Sequence, residues 1–432
     1  MQTSLQGIAN RARRKKNYRF FNLSTMLNEM YLQDSWKYIN RKAASGIDRK
    51  VAKDYEMNLT ENIKDIVDRL KRGIYKAKLV KRVYIPKTDG KLRPLGLPVI
   101  EDKLLQVAVS RILSAIYEQD FLSCSFGYRP NVGSKEAVKE LTTSLQFGEY
   151  NYVVEADIKS YFNNINHEWL VKMLEQRILD KPFIRLIKKW LKAGILDTDG
   201  KVIHPVTGSP QGGVISPILA NIYLHYALDL WFEKIIKPQC KGRAYLCRYA
   251  DDFICAFKYK EDAEKFYEVM TERLKKFGLE IAEGKTRIFR FSRYNQKDGD
   301  RFDFLGFEFS WGLSHKGKTT IMRRTSRLKL KKSIQNLTKW CKENRSLKLR
   351  KFFMLLNSKL IGYYNYYGVI GNFQSLKEFI YLVERIIFKW LNRRSQKKSF
   401  DWKTFSVIKT YYKIEKPRIV EKPIKQLNLV LS

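Results

Sequence analysis

Two adjacent carboxylates, Asp251 and Asp252, stand between β-prone runs, Arg243 to Tyr249 and Phe253 to Phe257, in a chain of formal net charge +39. An acidic pair flanked by apolar, β-branched and aromatic residues reads as a hairpin with both acids at its turn. Hard divalent cations such as Mg²⁺ take oxygen ligands, usually one or two carboxylates together with substrate phosphates, so such a tip could hold the ions used in phosphoryl transfer. The plainer alternative is an Asx-type turn whose carboxylates only cap backbone N–H groups. A third acid bears on that choice. Val153-Val154-Glu155-Ala156 reads as an apolar strand delivering Asp157 just before a turn, and a strand end can converge with a distant hairpin tip. Three carboxylates would hold two Mg²⁺ ions about 3.5–4 Å apart, one activating a primer 3′-hydroxyl and the other stabilising a leaving pyrophosphate.

Other residue types suit the surroundings of such a centre. Phe162 follows Asp157 by five positions, and its ring could sit beneath a nucleotide sugar and clash with a 2′-hydroxyl, or could simply be core. Gly208-Ser209-Pro210-Gln211-Gly212-Gly213 precedes a helix-like stretch, Ile218 to Leu230. Its glycines allow close backbone approach to a base pair or phosphates, and Gln211 could hydrogen-bond a nucleotide; a generic Gly/Pro loop is the alternative. Arg82 to Pro86, the turn Lys87-Thr88-Asp89-Gly90 and a return through Leu92 form a basic hairpin. Its Lys87 and Arg93 could reach triphosphate oxygens, Arg93 by a bidentate fork, or could be solvated surface. Gly312-x-x-x-x-Gly317-Lys318-Thr319 fits the P-loop expression, but a P-loop needs a helix next, and Thr319-Thr320-Ile321-Met322 reads as a return strand.

The elements that would position these residues suggest an α+β chain. Asn58 to Arg72 and His167 to Ile178 read as helices, Lys103 to Tyr117 as a helix with one buried face, and Tyr152 to Ile158 and Phe302 to Phe309 as strands. Beyond these, Ser326 to Cys341, Leu347 to Tyr367 and Leu376 to Arg393 read as three helices of a small basic bundle, the last opened by a capping box, Ser375-x-x-Glu378. The expected organisation is a basic N-terminal extension over 1–49, an α+β region over 50–311, a helical domain over 312–398 and a basic tail over 399–432.

Charge points to a polyanion. Lys and Arg number 83 against 44 Asp and Glu, and Trp311 to Ser432 carries 29 basic residues against 6 acidic. Aromatic residues make up 13% of the chain and supply faces for base stacking. Five cysteines without C-x-x-C spacing argue against a disulfide framework or zinc knuckle and for a reducing cytoplasm. No apolar run approaches the ~18 residues of a membrane span, and no secretory leader is evident.

Taken in order, the motifs resemble those of bacterial group II intron-encoded reverse transcriptases, also called maturases, over nearly the whole chain. The matching stretches are Gly46-Ile47-Asp48, Ile85-Pro86-Lys87 through Arg93-Pro94-Leu95-Gly96, Ser125 to Pro130, Asp157 to Phe162 and Gly208 to Asn221. Tyr249-Ala250-Asp251-Asp252, Glu283-Gly284-Lys285-Thr286, Phe304-Leu305-Gly306-Phe307 and the maturase-like Gly362 to Tyr367 continue the series. The resemblance implies a right-hand polymerase, with fingers and palm over 50–311, followed over 312–398 by an all-α thumb that doubles as the maturase domain. It implies metal contacts at Asp157, Ile158, Asp251 and Asp252, a sugar gate at Phe162, and substrate contacts at Lys87, Arg93, Gln211 and Lys285. It further implies two Mg²⁺ ions, dNTPs, an RNA template, a DNA primer or target, and intron RNA as a splicing partner in a bacterial cytoplasm. No histidine lies beyond His315 and no Cys pair follows the thumb, so an H-N-H endonuclease is not expected. Two alternatives remain: a host-adapted polymerase in repair, spacer acquisition or phage defence, and a splicing cofactor that is mainly non-catalytic.

Overall fold

The computed structural model describes residues 4–86, 92–208, 212–294, 300–314, 317–394 and 399–421. Its strands are β1 (Val80–Pro86), β2 (Leu92–Leu97), β3 (Ser125–Phe126), β4 (Tyr152–Asp157), β5 (Ile195–Leu196) and β6 (Val202–Ile203). They continue with β7 (Ala244–Tyr249), β8 (Asp252–Phe257), β9 (Arg287–Arg290), β10 (Phe302–Phe304), β11 (Phe307–Leu313) and β12 (Thr319–Thr325). The chain forms two compact units, one of residues 1–137 and 152–288, the other of 138–151 and 289–432.

In the first unit the central sheet has the order β3-β7-β8-β4-β9. Phe253 to Phe257 of β8 are buried without a break, as expected for a strand with neighbours on both sides and cover on both faces. The helix Ile100–Tyr117 has more than the single buried face its apolar spacing suggests, because Asp102, Lys103 and Gln106 are buried as well. Each is paired: Asp102 accepts from Tyr75 and the Lys78 amide, Lys103 donates to the Ala44 carbonyl, and Gln106 accepts from the Val214 amide. Pairing removes the desolvation penalty that would otherwise keep such groups at the surface. The basic N-terminal residues join this unit, with Ile8 and Ala12 of the helix Leu5–Arg14 in its core. Arg177, almost fully buried, donates to the carbonyls of Ala12, Lys15, Lys16 and Tyr18 and pairs with Asp120.

A second sheet in this unit, β2-β1-β5-β6, contains the basic hairpin, with Arg93 opposite Ile85 in the β1–β2 register.

Among the described residues the second unit combines the sheet β10-β11-β12 with most of the helix Ser134–Phe147 and with the helices Arg327–Asn344, Leu349–Tyr367, Phe373–Leu391 and Trp402–Tyr411. Phe302 to Phe309 is a tight hairpin and not one strand, since Leu305 and Gly306 both take positive φ, 50° and 82°, and reverse the chain. Thr319 to Met322 is the return strand expected there, paired with β11, which leaves the P-loop expression without its helix. The third helix of the expected bundle starts at Phe373, so Ser375 and Glu378 lie inside it and form no capping box. Asn372 precedes it, and its amide bonds instead to the Thr325 amide, the Thr325 hydroxyl and the Tyr367 carbonyl. The helix Trp402–Tyr411 is capped by Asp401, which accepts from the Thr404 amide, and it buries Phe405. No described helix is long and apolar enough to cross a membrane.

Candidate active site

β7 and β8 pair so that Tyr249 faces Asp252, leaving Ala250 and Asp251 as a two-residue turn. Two-residue hairpins need positive φ at the first turn position, and Ala250 takes φ 56°. For a residue with a Cβ that conformation costs about 1 kcal/mol, so neighbouring bonds must impose it. They do: the Ala250 amide donates to the Phe126 carbonyl at 3.1 Å, and its own carbonyl accepts from Arg248 Nη1 at 2.9 Å.

β4 brings the third acid beside this turn. Asp157 is the direct cross-strand partner of Asp252, so the two carboxylates project from the same face of adjacent strands. Like charges so placed repel, and the Lys285 ammonium closes on Asp157 Oδ2. That contact raises the Lys285 pKa, burial working against it. Burial also pushes the Asp251 carboxyl above its ordinary range; the Asp157 charge adds to the rise, while Arg93 and Lys285 oppose it. The charges of Asp157, Asp252 and Asp251 all favour the Lys285 ammonium, so the acids together draw a cation.

Ile158, the other expected metal contact, is buried and bridges Ile281, flanked by bonds from Lys159 to the Glu280 carbonyl and from Ala282 to the Asp157 carbonyl. Phe162 lies on the short helix Tyr161–Asn164, half-buried, with its ring centroid 6.4 Å from that of Tyr128 at an interplanar angle of 81°. Arg93 is exposed on β2, and its charge reaches both Asp251 and Tyr128. Lys87 and Gln211 lie outside the described residues. On either side of Gln211 the backbone approaches its neighbours closely: a Cβ on Gly208 (φ 94°) would stand 2.8 Å from the Asn163 carbonyl oxygen, and one on Gly212 (φ 103°) 2.6 Å from that of Gly96. Gly208 is thereby held against the Phe162 helix and Gly212 against β2.

Several site residues carry no chemical signature in their spacing. Tyr128, at φ 55°, faces Asp251, Arg93 and Phe162, and its only sequence signal is its place in Phe126-Gly127-Tyr128-Arg129-Pro130. Arg248, Asp229, Asn221 and Ser125 form a buried network under the turn, and only the fold brings them together.

Residues 85–309 match the family model described as reverse transcriptase (RNA-dependent DNA polymerase), more than half of the chain, and 330–407 match that of the group II intron, maturase-specific domain. The chain belongs to the group II intron-encoded reverse transcriptases. This reverse transcriptase is 30% identical over 431 residues to the group II intron-encoded protein LtrA of Lactococcus lactis subsp. cremoris, covering 81% of this chain and 70% of that protein. It is 32% identical over 316 residues to protein YkfC of Escherichia coli (strain K12), covering 66% of this chain and 80% of that one. A putative COX1/OXI3 intron 1 protein of Saccharomyces cerevisiae is 27% identical over 387 residues, covering 72% and 45%. The reverse transcriptase has the right-hand polymerase fold with mixed sheets, followed by a helical maturase region. Its two domains engage nucleic-acid substrates and intron RNA.

Reverse transcriptases generally work with divalent metal ions. Among the described residues no three His, Cys, Asp or Glu side chains are grouped as a metal cage. Mg²⁺ does not need one, because it keeps waters and takes substrate phosphates beside one or two carboxylates. The donors present are hard oxygens, and an ammonium already sits against one of them, so the donor chemistry fits such an ion.

Proposed function

We propose that this reverse transcriptase extends a DNA primer on an RNA template at Asp157, Asp251 and Asp252, and that its helical region binds group II intron RNA to promote splicing and mobility. The cross-strand pairing of Asp157 with Asp252, beside the turn that bears Asp251, carries this reading. Two Mg²⁺ ions, when bound, would activate the primer 3′-hydroxyl and stabilise the leaving pyrophosphate. Asp157, Asp251 and Asp252, with Ile158 alongside, would hold them. Lys285 pairs with Asp157 and, on a four-carbon stem, can exchange that carboxylate for a triphosphate oxygen. Arg93 would offer the phosphates a planar fork, and Lys87 a point charge. Phe162, steadied by the Tyr128 ring, would lie under the nucleotide sugar and exclude a 2′-hydroxyl, and Gln211 would contact the nucleotide. The five cysteines are all unbridged, in keeping with a reducing bacterial cytoplasm.

Primer extension on an RNA template tests the site. Asp251→Ala should abolish synthesis and leave RNA affinity and acceleration of intron splicing intact; undiminished synthesis refutes the assignment.

A further inference from the structure

Among the described residues Arg248 is the largest fully buried side chain, and it lies three residues before Asp251. An arginine has five N–H donors in a rigid plane, and burying them costs free energy unless each finds an acceptor. Here each does. Nε and Nη2 fork onto Asp229 at 2.7 and 2.6 Å, Nη2 also reaches Ser125 Oγ at 2.6 Å, and Nη1 reaches Asn221 Oδ1 at 3.2 Å and the Ala250 carbonyl at 2.9 Å. Four of these bonds tie the guanidinium to side chains, and the fifth holds a backbone atom of the acidic turn.

The three side-chain anchors come from a strand and from one helical run of the first unit. Ser125 belongs to β3, which also receives the Ala250 amide through Phe126. Asn221 sits on the helix Ser216–Leu224, and its Nδ2 donates to the Gly127 carbonyl at 2.9 Å, beside Tyr128. Asp229 ends a π-helical turn, His225–Asp229, that follows this helix. One extra residue in a helical turn rotates everything after it relative to a regular helix, and such turns recur at functional sites. The widened turn thus brings Asp229 to the guanidinium while Asn221 reaches it from the regular part.

We propose that Arg248 is a positioning residue of this reverse transcriptase: by holding the Ala250 carbonyl, it keeps the turn in its left-handed conformation and sets where Asp251 and Asp252 stand. The inference rests on the assignment of those acids proposed above. Groups that orient the holders of a metal act on its affinity as well as on rate, which gives a readout independent of turnover.

Two replacements separate positioning from folding. Arg248→Lys keeps the charge opposite Asp229 and loses the planar fork, while Arg248→Met combined with Asp229→Leu removes both charges and fills their volume, a change buried pairs often tolerate. Mn²⁺ binding to the full chain is followed by electron paramagnetic resonance, amide exchange at Ala250 to Asp252 by deuterium uptake, and kcat and KM for dTTP on a poly(rA)–oligo(dT) substrate. Thermal unfolding and RNA affinity report the fold. Both variants should melt cooperatively and bind RNA normally, while turn exchange quickens, KM stays put, and Mn²⁺ affinity and kcat each drop about 10- to 100-fold. A folded variant with parental turn exchange, Mn²⁺ affinity and kcat overturns the proposal. Should neither variant fold, Ser125→Ala, which removes one prop of the guanidinium, decides it: a smaller drop of the same kind supports positioning, and parental values refute it. Asp251→Asn runs alongside. If that variant also binds Mn²⁺ and makes cDNA normally, the assignment of the acids has failed, and faster turn exchange in Arg248→Lys still decides whether the arginine holds the turn.

Discussion

In the first unit a cation is buried beneath the acidic turn with every donor engaged, whereas in the second Arg324, Arg327 and Lys331 stand exposed along a strand end and the helix after it. A buried guanidinium fixes geometry, because each bond has one direction and one partner, and moving it exposes unmet donors in a low-dielectric interior. Exposed cations provide a field: they attract phosphates over roughly a Debye length, about 8 Å at physiological salt, without prescribing where each phosphate lies. Chemistry on one bond needs the first arrangement, and holding a long polyanion needs the second. The second unit also contains fixed pairs, among them Arg323 forking onto Glu421 at 3.0 and 2.7 Å, which ties residues far apart in sequence.

The contrast breaks most visibly at the acids. Asp157→Asn should reduce cDNA synthesis by about 10⁴-fold and leave RNA affinity unchanged. Converting Arg324, Arg327 and Lys331 to Glu should do the reverse to binding, weakening RNA affinity and flattening its salt dependence by about one unit of log–log slope per lost phosphate contact. Titrating affinity against KCl for both variants checks this, and a shared phenotype would erase the distinction.

Core packing gives the next largest effect. Phe353 is 1% exposed and stacks on Tyr412 with ring centroids 4.6 Å apart, so Phe353→Ala should destabilise the second unit by about 3–5 kcal/mol in denaturant melts.

His225, in the π-helical turn beside Asp229, sharpens the contrast in pH. Burial lowers its pKa to about 4 from an ordinary 6.5. The folded state therefore holds fewer protons than the unfolded one between those values, and stability present above pH 6.5 is lost as pH falls toward 4. The loss amounts to about 3 kcal/mol. His225→Gln should abolish that part of the acid dependence, and an unchanged profile would show that another group carries it. The smallest change is Asp401→Ala, which removes a helix cap in the second unit at a cost of about 1 kcal/mol.

Much of the site was legible as pattern. The acidic hairpin, the strand ending in Asp157 and the basic β1–β2 hairpin follow from alternation and turn residues that act over a few positions. The one-strand reading of Phe302 to Phe309 failed because an apolar run hides a turn when its two central residues adopt positive φ, a choice made by pairing with β11 and not by composition. The capping box failed for a related reason: Asn372 is drawn to Thr325, far away in sequence, and the helix begins ahead of Ser375. Tyr128 could have been singled out from its motif, but Arg248 reads as one polar residue in an apolar strand until its partners are in view.

The sequence by itself determined which residue types were available for chemistry, the strands and helices that carry them, and a charge of +39 that selects a polyanionic partner. Those properties are local or additive, so they survive without knowledge of the fold. Tertiary structure alone decided that Asp157 faces Asp252, that Lys285 reaches Asp157, and that Arg248 gathers Ser125, Asn221, Asp229 and Ala250 around one guanidinium. Such meetings depend on strand register and on the phase of a widened helical turn, where a shift of one residue redirects every side chain that follows.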